Sequence, residues 1–408
     1  MDTLLPWELG GHLPWHHFTS PAEKWAAQPT FVIGEYLFIC LALLGLWHAK
    51  RRGRAHLLVW VAALVAGTAN DLIFMALPMV DNFWQAQATI MITPRLPLYI
   101  PCVYVCFMYY PTVLVWRLDL GRWARAALSG LAAISFYCVY DIVGAKFLWW
   151  TWHDTDPPIA NRLLGVPIGS TMWVIVFVAT FAFLVGGRVD KDPSVGAKTF
   201  AKALALVALT CTTIMVLQIT VLQQLDGGVP GPIGLVAVIV VYGAIAARGV
   251  WRQYNQTRVL PPEPMLMGAF GVYFGVMTFL MVAFSPESHQ SESVHQTYGQ
   301  CHVEQTDITG MVRYQFLCAD DYDEDFDFAC AGGPPPEGAI WYTVCGRAHT
   351  RPAVFKGGVA GLSLLGLLIF GFLTLSRAKP RRVEHECLAV DESMRTGNNS
   401  ESATHPSA

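Results

Sequence analysis

Nine apolar stretches of about 20 residues punctuate the chain, at roughly 30–49, 56–80, 97–116, 124–148, 166–186, 200–222, 232–250, 265–285 and 354–376. Each is long enough to cross a hydrocarbon core of about 30 Å as a helix. In that solvent every backbone N–H and C=O must find a partner inside the protein, so stretches of this length have the helix as their solution. The weakest is the seventh, because Gly227–Pro232 crowds its start. Composition agrees: 54% of the residues are hydrophobic and 14% charged, against roughly 25% charged in an ordinary soluble domain. The expected fold is an all-α polytopic integral membrane helical bundle of about nine transmembrane helices.

Basic residues orient it. Lys50, Arg51, Arg52 and Arg54 follow the first stretch, and Arg117, Arg122 and Arg125 follow the third. Arg188, Lys191 and Lys198, then Arg248, Arg252 and Arg258, then Arg377, Lys379, Arg381 and Arg382 continue the same alternation. The other set of connections holds Lys24, Arg95, Arg162, Arg313, Arg347 and Arg351. Positive residues collect on the cytosolic side, so the N-terminus is expected outside or lumenal and the C-terminus cytosolic. The membrane is expected to be the plasma membrane or one of the secretory-pathway endomembranes. Residues 2–29 lack a continuous apolar core of the kind a cleaved signal carries, and 1–29 reads as an external tail. With a net charge of −3, no basic field points to nucleic acid. The partner implied is the lipid bilayer; the sequence does not set an oligomeric state.

Residues 286–353 form the one long connection on the outer side. It holds four cysteines, Cys301, Cys318, Cys330 and Cys345. On an oxidising side, and without CxxC spacing, they read as two disulfides, with three pairings open. Between the middle two, Asp321, Asp323, Asp325 and Asp327 alternate like a calcium loop, yet Phe326 stands where an EF-hand needs glycine. A solvated acidic loop is the plainer reading. The sequons at Asn255 and Asn398 lie on the cytosolic side and are expected to stay unglycosylated. Residues 354–376 make the ninth span, and 377–408, polar and without apolar period, read as a disordered cytosolic tail.

Residues 30–285 hold an eight-span bundle, and within it lies a repeat. Asp71 to Pro97 and Asp141 to Pro167 each run from an acid inside an apolar stretch, through an aromatic turn, to a proline opening the next stretch. Both spacings are 26 residues and the offset is 70. A duplicated helix–loop–helix unit follows, at about 56–116 and 124–186. Charges at bilayer depth are expensive and tend to face a bundle interior, to pair or to serve a function. Asp71 and Asp141 are therefore the candidate acid/base pair. Glu35, Asn70, Tyr140, Trp152, His153 and Asp154 are candidates for contact with a substrate. The bland alternatives are that the spans end before the acids, and that Trp84, Trp149, Trp150 and Trp152 form an ordinary interfacial belt. No pair of histidines lies mid-span, so no haem or metal is expected, and no cofactor. Gly271-x-x-x-Gly275 and Gly357-x-x-x-Gly361 offer small-residue faces, expected to pack the eighth and ninth spans together. No Walker loop, GxSxG, HExxH or kinase set is present.

Asp141, Gly144, Trp150, Trp152, Gly165-Val166-Pro167 and Trp173 resemble the carotenoid biosynthesis membrane-protein family that includes the carotenoid 1,2-hydratases. Asp71, Trp84 and Pro97 resemble its first half. The likeness covers about residues 56–190, and Ile168-Gly169-Ser170 stands where the family has Asn-Phe. It implies addition of water to an isoprenoid double bond with a carboxyl as the acid. Three functions follow: binding or processing of a hydrophobic isoprenoid- or lipid-like molecule at an outer-side acidic site; transport or conduction of a small solute or cation; or a surface receptor role for the cysteine loop. Neither the ligand nor an enzymatic character is set by the sequence.

Overall fold

The computed structural model describes residues 15–77, 81–153, 156–253, 261–306, 310–318 and 326–375. After a short helix α1 (Pro21–Ala27) come α2 (Pro29–Arg52), α3 (Arg54–Ala76), α4 (Tyr99–Trp116) and α5 (Arg122–Lys146). A single turn, α6 (Pro157–Ala160), precedes α7 (Ile168–Lys191), α8 (Ala197–Leu222), α9 (Pro232–Gln253), α10 (Pro264–Ala283) and α11 (Pro352–Leu375). Among the described residues nine helices, all but α1 and α6, are long and apolar enough to cross a membrane. They lie within a few residues of the nine apolar stretches, and the protein is a polytopic α-helical bundle. The Asp321–Asp325 run, both sequons, Asp154 and the C-terminal tail lie outside the described residues.

Burial sorts the helices. Helix α4 is enclosed over nearly its whole length, with α5 and α7 packed beside it. Helices α8, α9 and α11 instead turn Leu209, Leu217, Val221, Val236, Val240, Leu368 and Phe372 outward. A soluble surface rarely carries an apolar patch of that extent; it is the face such helices present to lipid. Lipid is as apolar as leucine, so helices in it associate by packing and hydrogen bonds rather than by hydrophobic transfer. The packing here is aromatic: Phe136 stacks on Tyr273 at 3.9 Å and Phe270 on Phe370 at 4.1 Å. Helices α10 and α11 do pack, but not through the paired glycines. A Cβ added at Gly271, Gly275, Gly357 or Gly361 would meet nothing within 4 Å, whereas one at Gly366 would enter the Phe274 ring. The close approach belongs to Gly366, because a phenyl ring needs a bare backbone opposite it.

At one end of the bundle the basic residues gather. Glu263, leading into α10, pairs with Arg52 of α2 and with Arg117 beyond α4 at 3.0 Å, and Arg125 pairs with Asp190. The other end carries short β-structure. Strands β1 (Phe83–Gln85), β2 (Met91–Thr93) and β3 (Leu96–Pro97) connect α3 to α4; β4 (Trp150–Trp152), β5 (Arg162–Leu163) and β6 (Val166–Pro167) connect α5 to α7. Both related segments therefore run helix, strand, hairpin, helix. Strands β1 and β4 pair antiparallel, Phe83 opposite Trp152 and Gln85 opposite Trp150. Equivalent strands paired this way are what a local two-fold arrangement of the two segments produces.

The described residues between 286 and 351 build a small lobe beyond the helix ends. Strand β7 (Gln290–Val294) precedes β8 (Glu304–Thr306), β9 (Val312–Tyr314), β10 (Phe326–Asp327) and β11 (Trp341–Gly346). Three of them form a sheet in the order β10-β11-β7, and β8 with β9 forms a hairpin. The disulfides pair neighbours in sequence, Cys301–Cys318 and Cys330–Cys345. The lobe is seated on the bundle. Leu148, from the α5 end, enters its core with Tyr298, Phe326 and Tyr342. His289 and His295 are buried. The Trp149 indole N–H donates to Thr30 Oγ1 at 3.1 Å, His289 Nε2 lies 2.9 Å from that oxygen, and His289 Nδ1 lies 3.0 Å from the Ser285 carbonyl. A carbonyl only accepts, so Nδ1 carries the proton and Nε2 takes the threonine hydroxyl. Burial pushes the His289 imidazole down to about 4 and that of His295 down to about 3. The N-terminal segment is fastened here too, Gln28 Nε2 donating to the Phe147 and Leu148 carbonyls at 2.8 and 2.6 Å.

Candidate functional site

A cavity of about 290 Å³ lies at the lobe-bearing end, between α3, α4, α5, α7 and α8. Its roof is β1, β4, α6 and Met311 of the lobe. The residues around it explain how a space stays open in a packed bundle.

On α3, Gly67 lets a ring come against the helix backbone; a Cβ there would sit 2.2 Å from Tyr104 Cγ. Tyr104 of α4 uses that approach to bring its hydroxyl up to Asp71. The hydroxyl donates to Asp71 Oδ1 and accepts from Asn70 Nδ2 at 3.0 Å. Asn70 Oδ1 accepts from Thr212 of α8 at 3.1 Å. A chain of hydrogen bonds thus ties three helices, and each hydroxyl and amide in it restricts the next. Asp71 is 3% exposed and lines the cavity. Its Oδ2 is enclosed and has no protein partner among the described residues.

Asp141 sits on α5, 70 residues on. Its Oδ2 accepts from Ser170 Oγ at 2.6 Å. Ser170, in the first turn of α7, lines the cavity, and Asp141, 1% exposed, lies behind it. The two acids therefore address one cavity from different depths, Asp71 directly and Asp141 through a hydroxyl. Tyr137, also in the wall, is within electrostatic reach of both carboxyls.

Aromatic rings make the rest of the wall. Trp150 lies 5.7 Å from Trp152 and 4.8 Å from Tyr140; Tyr140 lies 5.2 Å from Tyr137. Tyr137 in turn meets Phe107 at 4.7 Å and Trp173 at 5.7 Å, and Trp173 meets Tyr104 at 5.8 Å. Neighbouring rings at these spacings attract one another by about 0.5–1.5 kcal/mol per pair, so the wall is a rigid surface. Gly144 allows it, since a Cβ there would lie 2.2 Å from the Trp150 ring. Trp173 Nε1 is enclosed and unpartnered among the described residues. The remaining side is α8. Val216 and Thr220 line the cavity and are also exposed, Val216 by 39%. They stand beside Leu217 and Val221, on the helix face turned to lipid.

Of the residues singled out in the sequence, Asp71, Asn70, Tyr140 and Trp152 line this cavity, and Asp141 stands one residue behind it. Glu35 and His153 are not brought to it. Glu35 is fully buried and accepts the backbone N–H groups of Thr89 and Ile90 at 3.1 and 3.2 Å, which fixes the turn ahead of β2. His153 is buried rather than exposed in a turn, its backbone N–H donating to the Asn82 carbonyl at 3.3 Å. Trp149, Trp150 and Trp152 are buried as well, so they pack inward instead of forming an interfacial belt. Among the described residues no group of three or more His, Cys, Asp or Glu is placed to hold a metal ion. Tyr104, Ser170 and Trp173 were not anticipated as site residues.

The family described as "Domain of unknown function (DUF7802)" matches residues 15–374. The chain belongs to this family. The matched stretch takes in both related segments, the lobe and the whole of the cavity. No curated protein and no solved structure matches it.

Proposed function

We propose that this DUF7802 chain binds a small lipophilic molecule of isoprenoid- or lipid-like character, taken from the bilayer along α8 and held with its polar end at Asp71. The observation that carries this is Asp71, a lining residue whose Oδ2 is enclosed without a protein partner among the described residues, beside a cavity whose wall is mostly aromatic and aliphatic with a few polar groups such as Ser170 and Gln85. Ligand pockets are typically apolar with a few placed polar groups, and a buried carboxyl oxygen without a partner costs free energy until something joins it. The exposed part of the wall, Val216 and Thr220, supports entry from the lipid side. Positive-inside counting, with two disulfides in the lobe, supports placing the cavity end outside or in a lumen.

The transport alternative asks for a continuous path. Beyond Tyr104 and Phe107 the bundle interior is filled by Tyr109, Tyr110, Phe136, Phe270 and Tyr273, all buried, which favours a binding pocket. If the carboxyl chemistry implied by the carotenoid hydratase resemblance operates here, Asp71 is the acid, because Asp141 is covered by Ser170. The test is organic extraction and mass spectrometry of protein purified in a mild detergent, alongside Asp71→Asn. A lipophile held in stoichiometric amount by the wild type and depleted in the variant is the expected result. Equal retention by both, or Asp71-dependent solute uptake into proteoliposomes, would overturn the reading.

A further inference from the structure

We infer that the polar end of the ligand is a cationic amine, an ammonium group on a lipophilic body. The inference rests on the binding reading above and adds the chemical class. Three observations carry it.

The first is charge. Among the described residues no lysine or arginine lines the cavity, while Asp71 does. Among the described residues Asp71 is met by a hydroxyl and an amide, from Tyr104 and Asn70. Asp141, by contrast, has Arg162 within electrostatic reach. A carboxylate withdrawn from water is stabilised when a cation shares its site, and none of the described residues supplies one at Asp71.

The second is the direction of the hydrogen bonds. Tyr104 donates to Oδ1 and is itself held by Asn70, which leaves Oδ2 of this lining residue enclosed without a protein donor among the described residues. An ammonium offers up to three N–H donors and no acceptor. A carboxylate or phosphate ligand would meet repulsion at the same point.

The third is the wall. Tyr104, Phe107, Tyr137, Tyr140, Trp150 and Trp173 form a continuous run of rings beginning at the Tyr104 hydroxyl that touches Asp71. Ring faces attract ammonium groups, most strongly those of tryptophan and in water-poor sites. A hydroxyl would satisfy Oδ2 equally well as a donor; it has no use for the cation-attracting faces.

The experiment compares three probes of matched chain length, decylamine, decanol and decanoate, on the full chain in nanodiscs of zwitterionic lipid, with empty nanodiscs as the partition control. Binding is read by intrinsic tryptophan fluorescence, since Trp150, Trp152 and Trp173 line the cavity. The expected result is saturable decylamine binding at least ten-fold tighter than that of decanol, with decanoate weakest. In Asp71→Asn the amine-to-alcohol ratio should fall to about one. If decanol or decanoate binds the wild type as tightly as decylamine, the amine assignment falls and the cavity reading stands. If no probe binds and no lipophile co-purifies, both fall. The wild-type ratio decides the question even if the variant does not fold.

Discussion

Asp71 and Asp141 hold corresponding places in the two related segments, yet their surroundings differ. The donor to Asp141 is Ser170; 70 residues earlier stands Ile100, which lines the same cavity and has no hydrogen to give. The donor to Asp71 is Tyr104, one helical turn beyond Ile100, and its counterpart is Val174. Each acid keeps one enclosed oxygen without a partner among the described residues, but with the donor moved by one turn Asp71 lines the cavity itself, whereas Asp141 lies behind Ser170. The connections differ in the same sense. In the first segment Asp81 is paired with Arg95 of its own loop. In the second, Asp156 is paired with Arg313 of the lobe. One segment presents the acid, and the other fastens the roof above it.

The largest test of that division is Asp156→Ala. Asp156 is fully buried, and both of its oxygens accept from the Arg313 guanidinium. Removing one member of a buried ion pair costs about 3–5 kcal/mol. The lobe hairpin carrying Met311 should lift from the cavity, seen as faster hydrogen exchange across β8–β9 and a markedly lower melting temperature. Asp81→Ala, whose pair is partly exposed, should leave β8–β9 exchange unchanged. Equal effects on the hairpin would erase the distinction between the two connections.

Acid should act next. His289 is held neutral, with its imidazole at about 4 and that of His295 at about 3, while an unfolded histidine sits near 6.5. The unfolded form then binds more protons between these values, so stability is full above 6.5 and is lost as pH falls toward 4. The contacts released first are those of His289 with Thr30 and Ser285, which join lobe to bundle. Fluorescence of the lobe–bundle interface against pH checks this, and His289→Gln should flatten the response. A profile unchanged in that variant would move the sensitivity to His295 or elsewhere.

How much of this was legible follows the range of each interaction. The nine spans were legible because length and apolarity alone decide them, and α9 formed in full from Pro232 despite the Gly-Pro run before it. Asp71 and Asp141 were legible because an acid in an apolar run is costly wherever it points. Their partners were not: Tyr104 lies 33 residues from Asp71 and Ser170 lies 29 from Asp141, and a Tyr or Ser in a span reads as ordinary packing. The repeat offset carried a usable signal, since it sets Ile100 against Ser170. Glu35 misled because its acceptor role is satisfied by N–H groups 54 and 55 residues away. The burial of His289 and His295 left no signal in the sequence, because nothing local says that the lobe sits down on the bundle. The paired glycines misled because spacing shows which residues share a helix face, not which face meets a neighbour.

Smaller effects separate the acids themselves. Tyr104→Phe removes both the donor to Asp71 and the acceptor for Asn70, and should cost about 2 kcal/mol, whereas Ser170→Ala removes one bond and should cost about 1 kcal/mol. The melting temperatures should fall in that order. A larger loss for Ser170→Ala would make Asp141 the more tightly integrated acid and reverse the assignment of roles.

The smallest effect is the most specific. Ile100→Ser places a hydroxyl where the second segment has one, one turn before Tyr104 and on the cavity wall. Both Ile100→Ser and Ile100→Ala discard a large buried side chain, a loss of about 2–5 kcal/mol. The serine differs from the alanine only in being able to donate to Asp71 Oδ2, as Ser170 donates to Asp141. It should therefore recover about 1 kcal/mol relative to alanine, although serine is the more polar residue and would ordinarily be the worse choice on an apolar wall. It should also weaken decylamine binding below the alanine variant, because the oxygen that receives the ammonium is then occupied. A serine variant less stable than alanine, with amine affinity no lower, would show that Ile100 and Ser170 do not stand in the same relation to their acids.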